Sequence, residues 1–448
     1  PANLEAYYQE SGRAGRDGLP ADRTLGLPAA TIDEVCEPGG TVLYLGPDPR
    51  EELPVLFLRL RHAVNSDRVK LINASPTSGS LDDLATVNLP IPMGELGRSV
   101  AALLNVGHEP AGSVDPDLLA AAARLLDSDG PLRVVIGRRS LAEGIGPVAD
   151  AVAAIASARS DATFLTALRR SNVRGALELG MAPGLLPGRM TLDGGRDWMA
   201  ERWHRVPETT GLDAAGVIEA AADGRIRTLI LLGADPLADL VADVDTAAAL
   251  ERATVISLAT HHSASSLAGD IVLPVAAHAE VGGTTTNLEG RVTTLARQVT
   301  PAGVTRADWM IAAELALELG SDLGYETAEQ ITADIAAKVA GFESVTPEAL
   351  AASNDGVLAS VPSSIDPMNR VEAEIGERNA YDFRLVVSRV LYDEAIGTAN
   401  AQSLAGLAAN SAVHLHPLDL ERVGTTAGAA VKVSSSRSSA HSRKRATE

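Results

Sequence analysis

The sequence predicts a doubly wound α/β fold, with parallel β-sheets carrying helices on both faces. Three observations predict it. Short apolar runs rich in β-branched residues recur along most of the chain. Ala-, Leu- and Glu-rich segments of helical period alternate with them, as strand–helix–strand repetition requires. The runs lack polar alternation, which indicates burial on both faces. In chain order, TVLYLG (41–46) is a strand and ELPVLFLRLRHAV (52–64) the helix after it. VKLIN (69–73) is the next strand, and PDLLAAAARLLDS (116–128) is a helix. LRVVIG (132–137) is a strand and GPVADAVAAIASA (146–158) a helix. TLILLG (228–233), TVISLAT (254–260) and DIVLPVA (270–276) are three further strands, and ADWMIAAELALELG (307–320) is a helix.

The chain has 448 residues, enough for about two or three domains with substantial cores at 46% hydrophobic composition. Lys and Arg number 38 against 58 Asp and Glu, a net charge of −20. Duplex binding rests on phosphate neutralisation, so this balance argues against nucleic acid as a partner. Cys36 is the only cysteine, so the chain alone builds no disulfide, zinc knuckle or iron–sulfur cluster. No apolar run reaches the ~18 residues of a membrane span, so direct membrane insertion is not expected.

The two ends differ from the middle. Residues 1–24 contain NLEAYYQESGRAGRDGLPA (3–21), with Arg13 and Arg16 three apart on a Gly-rich turn. This patch resembles the sixth conserved motif of RecQ-type DNA helicases, which implies arginines that reach the γ-phosphate of ATP. A phosphate loop also needs G-x-x-x-x-G-K-S/T, and Lys70, Lys338, Lys432 and Lys444, the only lysines, sit in no such pattern. The patch is therefore read as foreign to the rest and as a surface loop, with a helicase fragment as the weakest functional reading. The chain opens at Pro1, and it is expected to be a piece of a longer protein or a join of two. Residues 25–40 are expected to form a linker holding the Cys36 thiol. Residues 41–405 form the α/β region, as two subdomains of which 130–325 is the more compact. RLVVSRVLYDE (384–394) is expected to be a strand, residues 406–436 the opening of a β-barrel, and the Ser-rich basic tail 437–448 disordered.

The candidate site lies in LILLGADPLADL (229–240) and in the block 253–303. Gly233 lets the backbone turn closely, Asp235 can cap the next element, and Pro236 suits a first helical turn. The next strand ends at Thr260. Carboxyl ends of neighbouring parallel strands form the crevice where such sheets bind ligands. AEVGGTTTNLEGR (279–291) then supplies a glycine-rich loop with Glu280, Gly283, Thr284, Asn287, Glu289, Gly290 and Arg291. For the GADP turn, cofactor phosphate binding and plain strand-to-helix punctuation both stand.

GADP (233–236), GDIVLP (269–274) and AEVGGTTTNLEGR (279–291) together resemble the molybdopterin oxidoreductase superfamily. The pair Gly282–Gly283 departs from its common pattern by an extra glycine, and Thr284 still follows. LGPDPREELPVLFLRLRHA (45–63), VIGRRSLAEG (135–144) and GMAPGLLPGR (180–189) are most similar to the G subunit of bacterial NADH-quinone oxidoreductases, the large subunit of the peripheral arm. HLHPLDLERVGTTAGAAVKVSS (414–435) is similar to the start of the superfamily's C-terminal dinucleotide-binding barrel. The resemblance spans roughly residues 41–436. It implies a scaffold that supports electron transfer from NADH to quinone within complex I, with no chemistry of its own. Its partners would be other peripheral-arm subunits, and its location the cytoplasmic face of the inner membrane, held there through the complex.

The resemblance further implies no cofactor in this chain. Iron–sulfur clusters would belong to an N-terminal region outside it, and the molybdopterin site would be vestigial. Gly233, Asp235, Thr260, Gly283, Thr284, Asn287 and Gly290 would be remnants of a pterin-dinucleotide crevice. The alternative implied by the same superfamily is a fragment of a catalytic enzyme of formate-dehydrogenase type.

Other candidates take structural readings. His261 and His262 are adjacent, and adjacent side chains diverge on most backbones, so they are read as lining a crevice or starting a helix. His414 and His416 alternate and would face one side of a strand. Glu280 and Glu289 could pair as acid and base, and structural hydrogen bonding is favoured. No catalytic residue and no metal ligand is assigned.

Overall fold

The computed structural model describes residues 24–434 apart from 107–111, 141, 144–145, 170, 204–205, 241–244, 362–382, 393–394 and 409–411, and also describes 439–447. Arg13 and Arg16 lie outside the described residues. The first sheet contains β1 (Thr41–Leu45), β2 (Lys70–Ser75), β3 (Val87–Pro90), β4 (Leu132–Ile136) and β5 (Thr163–Thr166). Its order is β3-β2-β1-β4-β5 and every pairing is parallel. Thr41 of β1 stands between Lys70 of β2 and Leu132 of β4.

Successive side chains on a strand point to opposite faces. Val42 and Tyr44 therefore pack with Leu56 and Leu60 of the helix Pro54–Asn65. Leu43 and Leu45 pack on the other side with residues of the helices Leu96–Leu103, Pro116–Leu126 and Gly146–Ala158. Both faces are covered, as the unbroken apolar runs require. Each fully buried leucine here contributes about 1.5–3 kcal/mol.

Residues 25–40 are not a linker. The Ala30 N–H donates to the Phe164 carbonyl at 2.8 Å, and the Phe164 N–H donates to the Pro28 carbonyl at 2.7 Å. This segment thus lies against β5 at the sheet edge, with Leu25, Leu27, Ala30, Val35 and Cys36 buried. A reciprocal cap fixes the short helix Ile32–Val35 within it. The Thr31 hydroxyl accepts from the Glu34 N–H at 3.2 Å, and the Glu34 carboxylate accepts from the Thr31 N–H at 2.7 Å.

Strands β6 (Leu185–Leu186) and β7 (Met190–Thr191) form a small antiparallel pair. A second parallel sheet has the order β10-β9-β8, from β8 (Thr228–Leu232), β9 (Thr254–Ala259) and β10 (Ile271–Pro274). Leu229, Leu231 and Val255 pack on the helices Ala214–Ala222 and Thr246–Arg252. The opposite face meets Ile311 of the helix Asp308–Glu318 through Leu258 and Val275. That cover is incomplete: Ile230 is 53% exposed and Ile271 46%. Burial on both faces, expected from the apolar runs, therefore holds for the first sheet and fails here.

An antiparallel sheet joins β11 (Gly283–Thr286), β12 (Arg291–Leu295) and β13 (Val357–Leu358). The last sheet has the order β14-β16-β15, from β14 (Val413–His414), β15 (Ala430–Ser434) and β16 (Ser439–Thr447). The tail expected to be disordered thus contributes β16, antiparallel to β15 and parallel to β14. Residues 384–394 are expected to be a strand, and the described part, 384–392, forms none. Several of their backbone groups bond to side chains at the end of the first sheet instead of to a neighbouring strand. Among the described residues no helix is long and apolar enough to cross a membrane.

Candidate functional site

The carboxyl ends of β8 and β9 meet at Gly233. Its φ of +60° lets the chain leave β8 sharply, and its N–H donates to the Leu258 carbonyl of β9 at 2.8 Å. Pro236 opens the helix Pro236–Asp239, as expected. Asp235 holds the cap position, but its carboxylate does not cap that helix. It accepts from the Ser265 N–H at 3.1 Å and from the Ser265 hydroxyl. The same hydroxyl oxygen accepts from the Leu237 N–H at 3.0 Å. Ser265 is fully buried, so the two turns after β8 and β9 are tied by one satisfied network.

Thr260 is half-buried at the end of β9, and its hydroxyl lies 3.1 Å from the His261 Nδ1. His261 and His262 are exposed. Ser263 and Ser266 close the next helix start with a reciprocal cap.

The glycine-rich loop is a hairpin. Thr284 of β11 stands opposite Thr294 of β12, and Gly283 begins β11. The Asn287 side-chain oxygen accepts from the Glu289 N–H at 2.9 Å and from the Arg291 N–H at 3.0 Å. Asparagine suits this turn because its side chain bonds the backbone just ahead. Gly290 closes the turn with φ +87°.

The hairpin is anchored to Ile32, Asn172 and Arg174, outside its own sheet. Glu289 accepts from the Ile32 N–H at 2.6 Å, and its other oxygen is 3.3 Å from the Arg291 Nε. Arg174, on the helix Val173–Glu178, donates to the Leu288 carbonyl at 2.9 Å and to Glu178 at 2.7 Å. The Asn172 side chain accepts from the Thr286 N–H at 2.9 Å.

The seven candidate residues therefore fall into two groups with separate partners. Gly233, Asp235 and Thr260 share the carboxyl end of the second sheet. Gly283, Thr284, Asn287 and Gly290 belong to the hairpin, whose bonds run to Asn172, Arg174 and Ile32. Sequence reasoning missed Ser265, Arg174 and Asn172, which lie far along the chain from the residues they hold. Glu280 and Glu289 are engaged structurally, Glu280 accepting from the Ala277 N–H at 2.8 Å. His414 ends β14, whereas His416 caps the helix Pro417–Val423 by accepting from the Leu418 N–H. The two histidines do not share a strand, because Pro417 starts a helix.

A metal centre does not fit these residues. Among the described residues no three His, Cys, Asp or Glu side chains gather around a common point. Cys36 is buried in the first core, and burial pushes its thiol pKa up, away from the thiolate a metal needs. The carboxyl end of the second sheet presents the Thr260 hydroxyl beside the exposed imidazoles of His261 and His262.

Comparison with known proteins gives a consistent outcome. Residues 30–318 match the family model for molybdopterin oxidoreductases. The chain is 32% identical over 427 residues to the NADH-quinone oxidoreductase G subunit of Mycobacterium tuberculosis, covering 94% of this chain and 48% of that protein. It is 35% identical over 300 residues to the protein of the same name from Streptomyces coelicolor, covering 65% of this chain and 34% of that protein. The chain thus spans about half the length, or less, of these curated relatives. Among solved structures, acetylene hydratase from Pelobacter acetylenicus superposes with a TM-score of 0.61 at 13% identity, over 94% of this chain and 70% of that one. That likeness is one of fold.

Proposed function

The chain belongs to the molybdopterin oxidoreductase family, and from that premise we propose that it is a scaffold region of an NADH-quinone oxidoreductase G subunit. In this reading it supports electron transfer from NADH to quinone inside the assembled complex and carries no chemistry of its own. The observation that carries the reading is the 32% identity to such a G subunit along 94% of the chain. Three features of the molecule support it. The Asp235 carboxylate, after β8 at the carboxyl end of the second sheet, is already bonded to Ser265. The glycine-rich hairpin is braced against Arg174 and Ile32. Ile230, Ile271, Leu317 and Leu319 are exposed, which suits docking of neighbouring subunits. The proposed location is peripheral, on the cytoplasmic membrane face, and held through those neighbours. The remnant pterin-dinucleotide crevice, with Gly233, Asp235, Thr260, Gly283, Thr284, Asn287 and Gly290, is part of the same proposal.

The test is to tag the chain at its own locus, solubilise membranes gently, and run a native gel. The chain is expected in a high-mass band that also oxidises NADH in the gel. Migration apart from that activity would overturn the assignment.

A further inference from the structure

The second parallel sheet is covered unevenly. On one face Leu229, Leu231 and Val255 pack on two helices, Ala214–Ala222 and Thr246–Arg252. On the other, among the described residues, the buried cluster of Leu258 and Val275 takes one helical residue, Ile311, from the helix Asp308–Glu318. Strand residues two apart share a face, so Ile230, Ile256 and Ile271 lie on that second face, one row before Leu232, Leu258 and Leu273. The three isoleucines are register partners across the sheet. Ile230 and Ile271 are exposed and Ile256 is half-buried. Neighbouring strands lie about 4.8 Å apart, so the row spans about 10 Å, the diameter of one α-helix.

The helix Asp308–Glu318 is itself uncovered. Ile311 is its only buried residue, Met310, Leu315 and Leu317 are exposed, and Leu319 just past its end is 86% exposed. From Trp309 to Leu319 every residue except Glu314 and Glu318 is apolar, and those two stand four apart on one stripe. A helix apolar on its other sides is one that packs against something. The surroundings are acidic. From Ala307 to Ala337 the chain has seven Asp and Glu and no Lys or Arg. The cations that flank this stretch are already paired, Arg306 with Glu314 and Lys338 with Asp334. An open apolar surface thus sits beside an excess of carboxylates.

We propose that this face seats an amphipathic α-helix of another protein, with its apolar stripe on the Ile230–Ile256–Ile271 row beside the helix Asp308–Glu318 and its flanks carrying Lys or Arg toward Glu314 and Glu318. Apolar anchors at i, i+3 or i+4, and i+7 suit such a surface, as in helix-in-groove recognition. Opposite charge fixes the orientation and the choice of partner. Charge also decides between occupants. A second copy of this chain brings the same carboxylates and a net charge of −20, so like charges meet. An anionic membrane surface meets the same repulsion. The inference deepens the scaffold reading, and rests on it in taking the helix to come from a neighbouring subunit.

The test places a photo-cross-linking amino acid in the full chain, in its own cells, at Ile271 or at Leu317. The exposed Glu219, on the helix Ala214–Ala222 of the opposite face, is the control position. Attached peptides are identified by mass spectrometry, and the native-gel band that holds them is stained for NADH oxidation. Both positions are expected to attach one partner through one segment of helical apolar spacing flanked by Lys or Arg, and Glu219 is expected not to. Glu314→Gln/Glu318→Gln is expected to lower the yield about threefold or more, through loss of two exposed charge pairs. Glu314→Asp/Glu318→Asp keeps the charges and is expected to keep the yield. Attachment to a second copy of this chain, attachment to a segment without excess Lys or Arg, a yield that the Gln variant leaves unchanged, or no attachment above the Glu219 control would each overturn the proposal. The band tests the scaffold reading separately. A cationic helix attached in a band without NADH oxidation keeps the docking and ends that reading, and an NADH-oxidising band without attachment does the reverse.

Discussion

Gly290 and Arg174 meet so closely that no side chain fits between them. A Cβ on Gly290 would lie 2.8 Å from the Arg174 Nη2 and 2.9 Å from its Cζ. Arg174 cannot swing aside without loss, because it is buried and bonded to Glu178 and to the Leu288 carbonyl. Gly290→Ala therefore combines backbone strain at φ +87° with displacement of a buried guanidinium. The expected loss is about 3 kcal/mol or more. Gly303 is the control, with positive φ and open space around it, and Gly303→Ala is expected to cost about 1 kcal/mol. Urea unfolding of the two variants reads the difference, and equal costs would mean that the contact carries no weight.

Asp235 and Ser265 give a second prediction. Ser265→Ala removes one donor to Asp235 and leaves the Leu237 N–H without its acceptor in a part-buried turn. A loss of about 1–3 kcal/mol is expected. Asp235→Ala removes the acceptor for two bonds and is expected to lie at the upper end of that range. The two together are expected to cost less than their sum, since they share one network. Additive costs in denaturant unfolding would contradict the network.

Arg139 and Glu143 form a buried ion pair beside the first sheet, with side chains 0% and 1% exposed. Arg139 also donates to the Ile91 carbonyl, and Glu143 accepts from the Gly94 N–H. Glu143→Ala strands a buried cation and is expected to cost about 3–5 kcal/mol. Arg139→Met/Glu143→Leu removes both charges and is expected to be closer to the native midpoint than Glu143→Ala. The reverse order in denaturation midpoints would sink this reading.

Tyr325 predicts a pH dependence. Its hydroxyl donates to Asp334 at 2.6 Å, and that bond, with burial second, pushes its pKa up to about 12. The folded value lies above the unfolded value of about 10. The protonated phenol is thus favoured by folding, and its contribution is complete below about pH 10 and lost as pH rises toward about 12. Tyr325→Phe is expected to flatten the stability profile in that window only. An unchanged slope would exclude the bond as a source of stability.

Strands β3 and β5, four residues each with Asn88, Thr163 and Thr166 among them, were not legible in the sequence, whereas β1, β2, β4, β8, β9 and β10 were, through short apolar runs. Val42–Leu45 and Leu229–Leu232 are such runs. Turn chemistry was legible at Gly233 and Pro236, where backbone geometry restricts the residue. The partner of Asp235 was not, because nothing local singles out Ser265 thirty positions away. The edge role of residues 25–40 had a local sign, the Thr31–Glu34 capping box, beneath a composition that suggests a linker. Residues 384–392 show the limit most plainly. Their β-branched run fits extended backbone, but whether a strand or a set of side chains receives its hydrogen bonds depends on the rest of the fold.

The measurement that bears most directly on the scaffold role is molybdenum and pterin content, by mass spectrometry, of the complex purified through this chain and active in NADH oxidation. A scaffold predicts an active complex with molybdenum and pterin far below one per chain. One molybdenum and a matching pterin per chain, in a preparation whose substrate turnover follows metal loading, would contradict it and identify a catalytic molybdopterin enzyme.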